Sequence, residues 1–140
     1  MSGTAIEMDS TITLKVEIAG RGELPRGPHF EGPAEVLGLR WERFYATTGL
    51  PLKEAGSVPP SLRYLDSPRA AGLENLSNDL GLAARNALLE MIRYLVEERG
   101  LTENQAYVLA SVAVDLRIGQ VVDAPNVSVL AVLPLDVFVE

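Results

Sequence analysis

A glutamate near the start of the chain has a setting that suggests chemistry. Glu7 stands between Ile6 and Met8, in a stretch of extended, apolar character. A carboxylate that loses solvent in such a setting has a raised pKa, which suits proton transfer, and its oxygens are ligands for a hard cation. Glu7 is therefore a candidate catalytic or metal-binding residue. The alternative is a structural role, as an exposed edge-strand glutamate or as the ion-pair partner of Arg40 or Arg117.

A second group of polar residues lies in residues 115–123. Asp115 and Arg117 are two positions apart, and Gln120 and Asp123 follow closely. These side chains could line a polar pocket, since catalytic sites aim donors at an oxygen that develops negative charge. Asp115 and Asp123 are candidate catalytic carboxylates, and Gln120 is a candidate substrate-binding residue. Alternatively, Asp115 and Arg117 form a network that closes a helix C-terminus, where a cation is favourable against the helix dipole.

Other polar side chains have structural explanations of their own. Thr48 and Gly49 could offer a hydroxyl and a backbone N–H to a small substrate, although a turn at a strand end explains the same residues. His29 lies among prolines without a second ligand at metal-binding spacing, which favours a surface position. Tyr107 and Ser111 are one helical turn apart, and hydroxyls bonded to the backbone of a core helix explain them.

The composition excludes several classes of function. The 140 residues are enough for a single domain, residues 1–140, with a hydrophobic core. A formal net charge of -7 repels phosphate backbones and anionic lipids, so neither nucleic acid nor a membrane is expected as a partner. The absence of cysteine excludes disulfides and cysteine nucleophiles, and a single histidine excludes an all-histidine metal site within one chain. No secretory or membrane-spanning stretch is present, which predicts a cytoplasmic protein.

Two stretches with alternating apolar and polar side chains predict strands. Residues 11–18 alternate throughout, which predicts a half-buried strand, and residues 40–48 predict a second one. Between them, the prolines and glycines of residues 22–36 predict a structured loop, because they interrupt a regular hydrogen-bond ladder. Residues 49–78 have no sustained period, and their spaced leucines predict a long excursion packed on the rest of the chain.

Two helices are predicted in a tight hairpin. The first is amphipathic, about five turns long, and ends at Gly100, while the capping-box pattern of Thr102 and Gln105 starts the second. From residue 106 to residue 114 the second helix is apolar on nearly every side, so it needs cover on more than one face. The predicted buried face of the first helix consists of Ala84, Ala87, Leu88, Met91, Ile92, Leu95 and Val96. Its opposite face consists of Arg85, Asn86, Glu90, Arg93, Glu97 and Glu98.

The continuous apolar run of residues 127–133 predicts a strand in the middle of a sheet. It lies between Pro125 and Pro134, as expected because a proline inside a central strand would break the ladder. These elements together predict an α+β fold. We expect a mostly antiparallel sheet or sandwich with a two-helix hairpin packed on it, and the last strand returning into the sheet.

Four segments of the chain resemble one enzyme family. They are GTAIEM at residues 3–8, ATTGL at 46–50, AARNALLEMIRYLVEERGL at 83–101 and QAYVLASVAVDLRIGQVVDAPNVSVLAVLPLDVF at 105–138. Together they resemble the C-terminal half of the acetamidase/formamidase family. The last segment is the most specific, since its polar positions recur in fixed order around apolar ones: Tyr107, Ser111, Asp115, Arg117, Gln120 and Asp123. The resemblance implies a hydrolase that cleaves carbon–nitrogen bonds of small linear amides, such as formamide or acetamide, and releases ammonia and a carboxylate.

The resemblance also implies a divalent metal, such as zinc. Full-length members of the family carry a β-rich half with a pattern like DxHxxxGxGE just before the segment that GTAIE resembles. The histidine and aspartate of that pattern, expected to hold the metal or activate water, have no counterpart in this chain. The metal would then be held mostly by residues absent from this chain, with Glu7 as the contribution of this one.

Two hypotheses follow for the function. In the first, the chain is the C-terminal part of an amidohydrolase, and another segment or chain supplies the metal-binding wall of the active site. In the second, it is a non-catalytic or truncated assembly module that needs a partner chain. Under both hypotheses, uncovered apolar strands and faces predict a homo-oligomer or a complex with a partner N-terminal half.

Overall fold

Most of the described chain belongs to a four-stranded antiparallel sheet and two helices. The computed structural model describes residues 8–16, 27–51, 78–122 and 127–139. The strands are β1 (His29–Pro33), β2 (Arg43–Gly49), β3 (Asp115–Gln120) and β4 (Ser128–Pro134), and the helices are α1 (Leu80–Glu97) and α2 (Glu103–Ala113). Short 3-10 turns follow β1 and β4, at Ala34–Leu37 and Leu135–Val137. The prediction of an α+β fold with an antiparallel sheet and a two-helix hairpin is confirmed.

The last strand occupies the central position that its sequence predicts. The strand order is β1-β2-β4-β3, so β4 pairs antiparallel with both β2 and β3. Ala131, Val132 and Leu133 are each 0% exposed, because one core covers each face of the strand. A run of apolar residues without alternation is compatible with this position alone.

The helix ends are set by side-chain and backbone caps. The side chain of Asp79 accepts a hydrogen bond from the backbone N–H of Leu82 (3.0 Å), a cap that the sequence analysis missed. Gly100 has a φ of 66°, in the left-handed region, and reverses the chain between the helices. Thr102 and Gln105 then form the predicted capping box, in which each side chain accepts a hydrogen bond from the backbone N–H of the other. Each such cap stabilises a helix by about 1 kcal/mol.

The face of α1 that packs on the sheet is rotated from the predicted one. Ala87, Met91 and Leu95 are buried as predicted, but the prediction that Asn86 and Glu90 lie on the opposite, polar face is wrong. The small residues beside them let the strand backbone approach α1 closely, which turns this polar side of the helix toward the sheet. The other buried positions of α1 are Ala83 and Tyr94. Four residues of the predicted buried face are only half-buried: Ala84, Leu88, Ile92 and Val96.

Two hydrophobic cores lie on opposite faces of the sheet. The larger one joins Tyr45 and Leu133 of the strands to Met91 and Leu95 of α1. On the other face, Phe44, Ala46 and Val132 pack with Ala34 of the 3-10 turn that follows β1. The two central strands are thus covered on both sides.

The second helix is covered on one side only by the described chain. Ala106 and Ala110 are buried against the rest of the fold. Tyr107, Val108 and Val112 are 65%, 61% and 80% exposed. The sequence predicts cover on this side too, and no described residue supplies it.

The prediction of a half-buried strand at residues 11–18 is wrong for its described part. Residues 8–16 form no strand, and Ile12, Leu14 and Val16 are 75%, 80% and 89% exposed. An alternating segment becomes a strand only where a neighbouring edge offers its backbone groups. No described strand pairs with this segment. Residues 17 and 18 lie outside the described residues.

The prediction that residues 22–36 form a loop is also wrong in part. Residues 29–33 form β1, which pairs antiparallel with β2 from His29 opposite Thr47 to Pro33 opposite Arg43. Pro33 is compatible with this strand because β1 is at the sheet edge and the proline is its last residue. The predicted strand at residues 40–48 is confirmed as β2 with shifted bounds. Most of the predicted excursion at residues 49–78 lies outside the described residues.

Neither helix could cross a membrane. Within the described ranges, no helix combines the length and the apolar character that a bilayer span requires.

The close contact between β2 and α1 predicts a large cost for one methyl group. In a Gly49→Ala variant, the added Cβ would collide with the carbonyl group of Ala83 and the backbone nitrogen of Ala87. We expect the free energy of unfolding to fall by about 2 to 3 kcal/mol, as in other overpacked cores. Urea denaturation followed by circular dichroism measures this change.

A second strand glycine provides the matched control. A Cβ on Gly32 would lie 3.7 Å from Cε1 of Phe44, an ordinary van der Waals contact. We expect Gly32→Ala to change the free energy of unfolding by less than about 1 kcal/mol. Equal effects of the two substitutions would contradict the close approach at Gly49.

Candidate functional site

A buried carboxamide lies where the end of β2 meets α1. Asn86 is 7% exposed, and its Nδ2 donates a hydrogen bond to the carbonyl oxygen of Leu50 (2.7 Å). Its Oδ1 is buried and has no hydrogen-bond partner among the described residues. An unsatisfied buried acceptor costs about 1 to 3 kcal/mol. A ligand that donates an N–H to this oxygen would recover that free energy.

A buried ion pair lies on the same side of the helix. Glu90 is 4% exposed, and its Oε1 accepts a hydrogen bond from Nη1 of Arg93 (2.7 Å). Intervals of four and three residues put Asn86, Glu90 and Arg93 on one side of α1. We call these three residues the polar stripe. A carboxylate buried this deeply requires a nearby cation, and Arg93 supplies one.

The polar stripe is bordered by the backbone that enters β1. A Cβ on Gly27 would lie 3.7 Å from Cγ of Glu90 and 3.1 Å from the carbonyl oxygen of Thr48. The backbone N–H of Thr48 donates to the carbonyl oxygen of Pro28 (2.8 Å), which fixes this approach. The start of β1 and the end of β2 therefore lie side by side next to Glu90.

A buried threonine ties β2 to the helix backbone. Thr47 is 0% exposed, and its Oγ1 donates a hydrogen bond to the carbonyl oxygen of Ala87 (2.7 Å). Two residues later on the same face, Gly49 lies directly against α1. These contacts fix the position of the polar stripe, along the axis of α1, relative to the end of β2.

Stacked aromatic rings continue the same interface toward the other end of α1. The rings of Tyr45 and Tyr94 are stacked, with centroids 3.6 Å apart and 12° between their planes. Nε of Arg99 donates to the hydroxyl of Tyr94 (2.9 Å). Burial raises the pKa of Tyr45, and the charges of Tyr94, Glu98 and Glu90 raise that pKa further. Burial also raises the pKa of Tyr94, while the hydrogen bond and charge of Arg99 oppose the rise.

Two predicted substrate-binding residues lie at the end of β2. Gly49 is buried beside the polar stripe, where close packing accounts for the residue type. Thr48 is half-buried, and strand alternation places its side chain on the sheet face opposite α1. Their part in substrate binding stays a prediction. Glu7 and Asp123, the carboxylates predicted for catalysis, lie outside the described residues.

The other predicted site residues lie on the edge strand β3. Asp115 is exposed at its start, and Gln120 is half-exposed at its end. β4 lies between β2 and β3. The backbones of Gln120 and Asp115 are therefore about 10 Å from the backbone of Thr48, measured perpendicular to the strands within the sheet. Nη1 of Arg117 donates to the carbonyl oxygen of Leu37 (2.8 Å). The alternative in which Arg117 closes the helix C-terminus is therefore wrong, because its side chain bonds to the 3-10 turn.

The described residues do not form a metal centre. They contain no group of three histidine, aspartate or glutamate side chains that could hold a metal ion. Glu7, the predicted metal ligand, lies outside the described residues, so the residues in view do not fit the divalent metal that the resemblance implies.

The polar stripe was missed because its residue types resemble those of a solvated helix face. Asn86, Glu90 and Arg93 stand among other polar side chains of α1, and nothing in their spacing indicates burial. The one usable signal was Gly49 at the end of an otherwise β-branched and aromatic strand, because a glycine there often marks a close approach of another backbone.

The stripe can recognise a planar group that carries both donors and an acceptor. Oδ1 of Asn86 and the carboxylate of Glu90 accept hydrogen bonds, and the guanidinium of Arg93 donates them. A primary amide presents N–H donors and a carbonyl acceptor in one plane. The chemistry of the stripe is complementary to that group.

The comparison with known proteins gave one family. The model of the Acetamidase/Formamidase family matches residues 1–140. A search of curated proteins found no match.

The Glu90–Arg93 pair predicts a specific pattern of stabilities. In an Arg93→Met variant, Glu90 would remain buried beside a neutral side chain, and we expect a loss of about 2 to 4 kcal/mol in the free energy of unfolding. An additional Glu90→Gln substitution should recover part of this loss, because the buried charge that Arg93 balances is removed. Arg85→Met, at an exposed position of the same helix, serves as the control. Strictly additive effects of the two substitutions in denaturation experiments would contradict the coupling.

The tyrosine stack predicts a loss of stability at alkaline pH. The pKa values of Tyr45 and Tyr94 are raised in the folded chain, so above the unfolded tyrosine pKa the folded state binds more protons than the unfolded state. The free energy of unfolding should then fall above about pH 10, by about 1.4 kcal/mol per pH unit for each such group. Denaturation between pH 8 and pH 11, together with absorbance of the phenolates, measures the effect.

A phenylalanine variant isolates the contribution of one hydroxyl. Tyr45→Phe keeps the ring that stacks on Tyr94 and removes a titrating group. The alkaline slope should become shallower while stability near neutral pH changes little. An unchanged slope would show that Tyr45 titrates as in the unfolded chain.

Proposed function

Since this chain belongs to the acetamidase/formamidase family, we propose that it forms one wall of the active site of an amidohydrolase. The reaction is the hydrolysis of small linear amides, such as formamide or acetamide, to ammonia and a carboxylate. Another segment or chain supplies the remaining wall. The expected location in the cytoplasm stays a prediction from the sequence.

The observation that supports this function is the unpartnered Oδ1 of Asn86. It is a buried acceptor at the end of β2, beside a carboxylate and a guanidinium of the same helix face. A substrate amide that donates an N–H to this oxygen and accepts from Arg93 would be held by its own functional group. Buried polar groups that lack a partner in the free protein discriminate strongly in favour of a ligand that supplies one.

The roles proposed for individual residues follow from this orientation. Asn86 binds the amide nitrogen, and Glu90 positions Arg93 through their ion pair. Glu7 keeps the proton-transfer role that its apolar setting in the sequence suggests. Thr48 and Gly49 form the neighbouring strand end. Roles for the carboxylates Asp115 and Asp123, and substrate binding by Gln120, remain proposals that rest on the resemblance.

A divalent metal such as zinc is part of the proposal on the strength of the resemblance alone. It would be held mostly by residues that this chain does not contain, with Glu7 as a further ligand. The described residues form no three-ligand group.

A second candidate is an assembly module without catalysis of its own. The observation in its favour is exposed apolar surface: Ile12, Leu14 and Val16 are at least 75% exposed, as is Val112 of α2. Such surface is typical of a face that another protein covers. In this case the chain would bind its partner and contribute no group to the reaction.

The release of ammonia tests the proposed function. The full chain is incubated with formamide or with acetamide, with and without added zinc, and ammonia is measured against buffer alone. Release by the unaltered chain would show that it carries the activity by itself, and Asn86→Ala should then lower the rate at least about tenfold, equivalent to about 1.4 kcal/mol. Glu7→Gln tests the second proposed residue in the same assay.

The controls separate three outcomes. Asn104→Ala changes an exposed asparagine of α2 and should leave the rate unchanged. Full activity of Asn86→Ala would contradict the site at the polar stripe but not the hydrolysis. If the unaltered, folded chain releases no ammonia with zinc present, activity of this chain by itself is refuted.

A further inference from the structure

The outer edge of β3 is open in the described structure. β3 is the last strand of the sheet and pairs only with β4 among the described strands. Leu116 and Ile118 are 49% and 62% exposed. An open edge that carries large apolar side chains pairs readily with another strand, because its N–H and C=O groups already point outward.

An apolar face of α2 adjoins this edge. Tyr107, Val108 and Val112 are all more than half exposed. Residues 104–114 contain no charged side chain, although the chain as a whole has a net charge of -7. A cleft of about 620 Å³ joins the helix to the strand, and Tyr107 and Leu116 both line it. Edge and helix therefore form one continuous surface.

The two faces of β3 carry different side chains. Leu116 lies opposite Ala131 and Ile118 opposite Val129, so both point toward the face that carries the helices. Strand alternation places Asp115 and Arg117 on the other face, where Arg117 bonds to Leu37. The side chain of Asp115 has no hydrogen bond or ion pair with another described residue. One side of the edge is therefore apolar, and the other side carries one negative and one positive side chain.

We propose that β3 pairs antiparallel with β3 of a second copy of this chain, about a twofold axis at Leu116. The two sheets then form one continuous sheet, and the two α2 helices lie on the same face of it. The exposed apolar side chains of α2 and the two Leu116 side chains pack together across the axis. The surface binds a second copy because it is complementary to itself, as a twofold interface must be.

Charge fixes the register of this pairing. With Leu116 on the axis, Asp115 of each copy lies directly opposite Arg117 of the other. A shift of the axis by one residue would place Asp115 opposite Asp115, or Arg117 opposite Arg117, which is unfavourable. Nη1 of Arg117 stays bonded to Leu37. The remaining donors of its guanidinium are available to the carboxylate, since the group has five N–H donors.

The molecular mass in solution tests the pairing, independently of any amidase activity. Sedimentation velocity or light scattering should give about twice the 15.1 kDa of one chain. Asp115→Arg would place like charges together on both sides of the axis, and we expect the dissociation constant to rise by at least about tenfold. Exchanging the charges in the double variant Asp115→Arg with Arg117→Asp should restore dimers.

Two further variants test whether the contact lies at Leu116. Leu116→Lys puts a charge on the axis and should give monomers, while Val36→Lys, at a 73% exposed position outside this surface, should not. Circular dichroism verifies that each variant folds. A monomeric unaltered chain would overturn the proposal. Dimers that resist both Asp115→Arg and Leu116→Lys would also overturn it, because a different surface, or a different strand such as residues 8–16, would then form the contact.

Hydrogen exchange provides an independent readout on the unaltered chain. The backbone amides of residues 114–118 should become protected as the concentration rises through the dimerisation range. The amides of β1, the opposite edge, should show no such dependence. Protection that is the same at all concentrations would contradict the pairing of β3 between copies.

Discussion

The direct contact between the backbone of β2 at Gly49 and the backbone of α1 at Ala83 and Ala87 is the constraint on which the candidate site depends. It needs a residue without a side chain on the strand and small residues on the helix. Once this contact forms, Thr47 bonds to the carbonyl oxygen of Ala87, and Asn86 reaches Leu50. The positions of the polar groups thus follow from a packing requirement of the backbone.

This packing places polar side chains where a helix of this kind would usually bury apolar ones. Asn86 and Glu90 occupy the buried side of α1, while Leu88 and Ile92 are only half-buried. Natural sequences break such local rules mainly at functional sites, where the cost is offset by other parts of the fold. Here the capped helices and the mostly buried strand β4 supply stability, so that an acceptor without a described partner at Asn86 is tolerated. The deviation supports a role for this stripe in binding.

The half-buried residues Leu88, Leu89 and Ile92 of α1 face α2 and β3, and they line a cleft with Tyr107 and Leu116. Asn86 and Glu90 are therefore on the opposite flank of the helix from Leu88 and Ile92, whereas Arg93 lines a cleft together with Ile92 and Tyr107. The chain belongs to the acetamidase/formamidase family, and amide hydrolysis at the polar flank is the function proposed for it. The apolar flank is where we propose that a second copy of the chain binds.

The sequence by itself determined the elements whose signals are local. The capping box at Thr102, the helix periods and the uninterrupted apolar run of β4 each specify a structure within a few residues, and all of them were predicted. Tertiary structure decided what depends on a partner: β1 forms by pairing with β2, whereas residues 8–16 pair with no described strand and form none. It also decided which flank of α1 is buried. That flank depends on the contact with Gly49 of β2, and the hydrophobic pattern of the helix contains no information about this residue. A strand and a buried polar group both need hydrogen-bond partners from other parts of the chain, and the local sequence does not specify which parts come close.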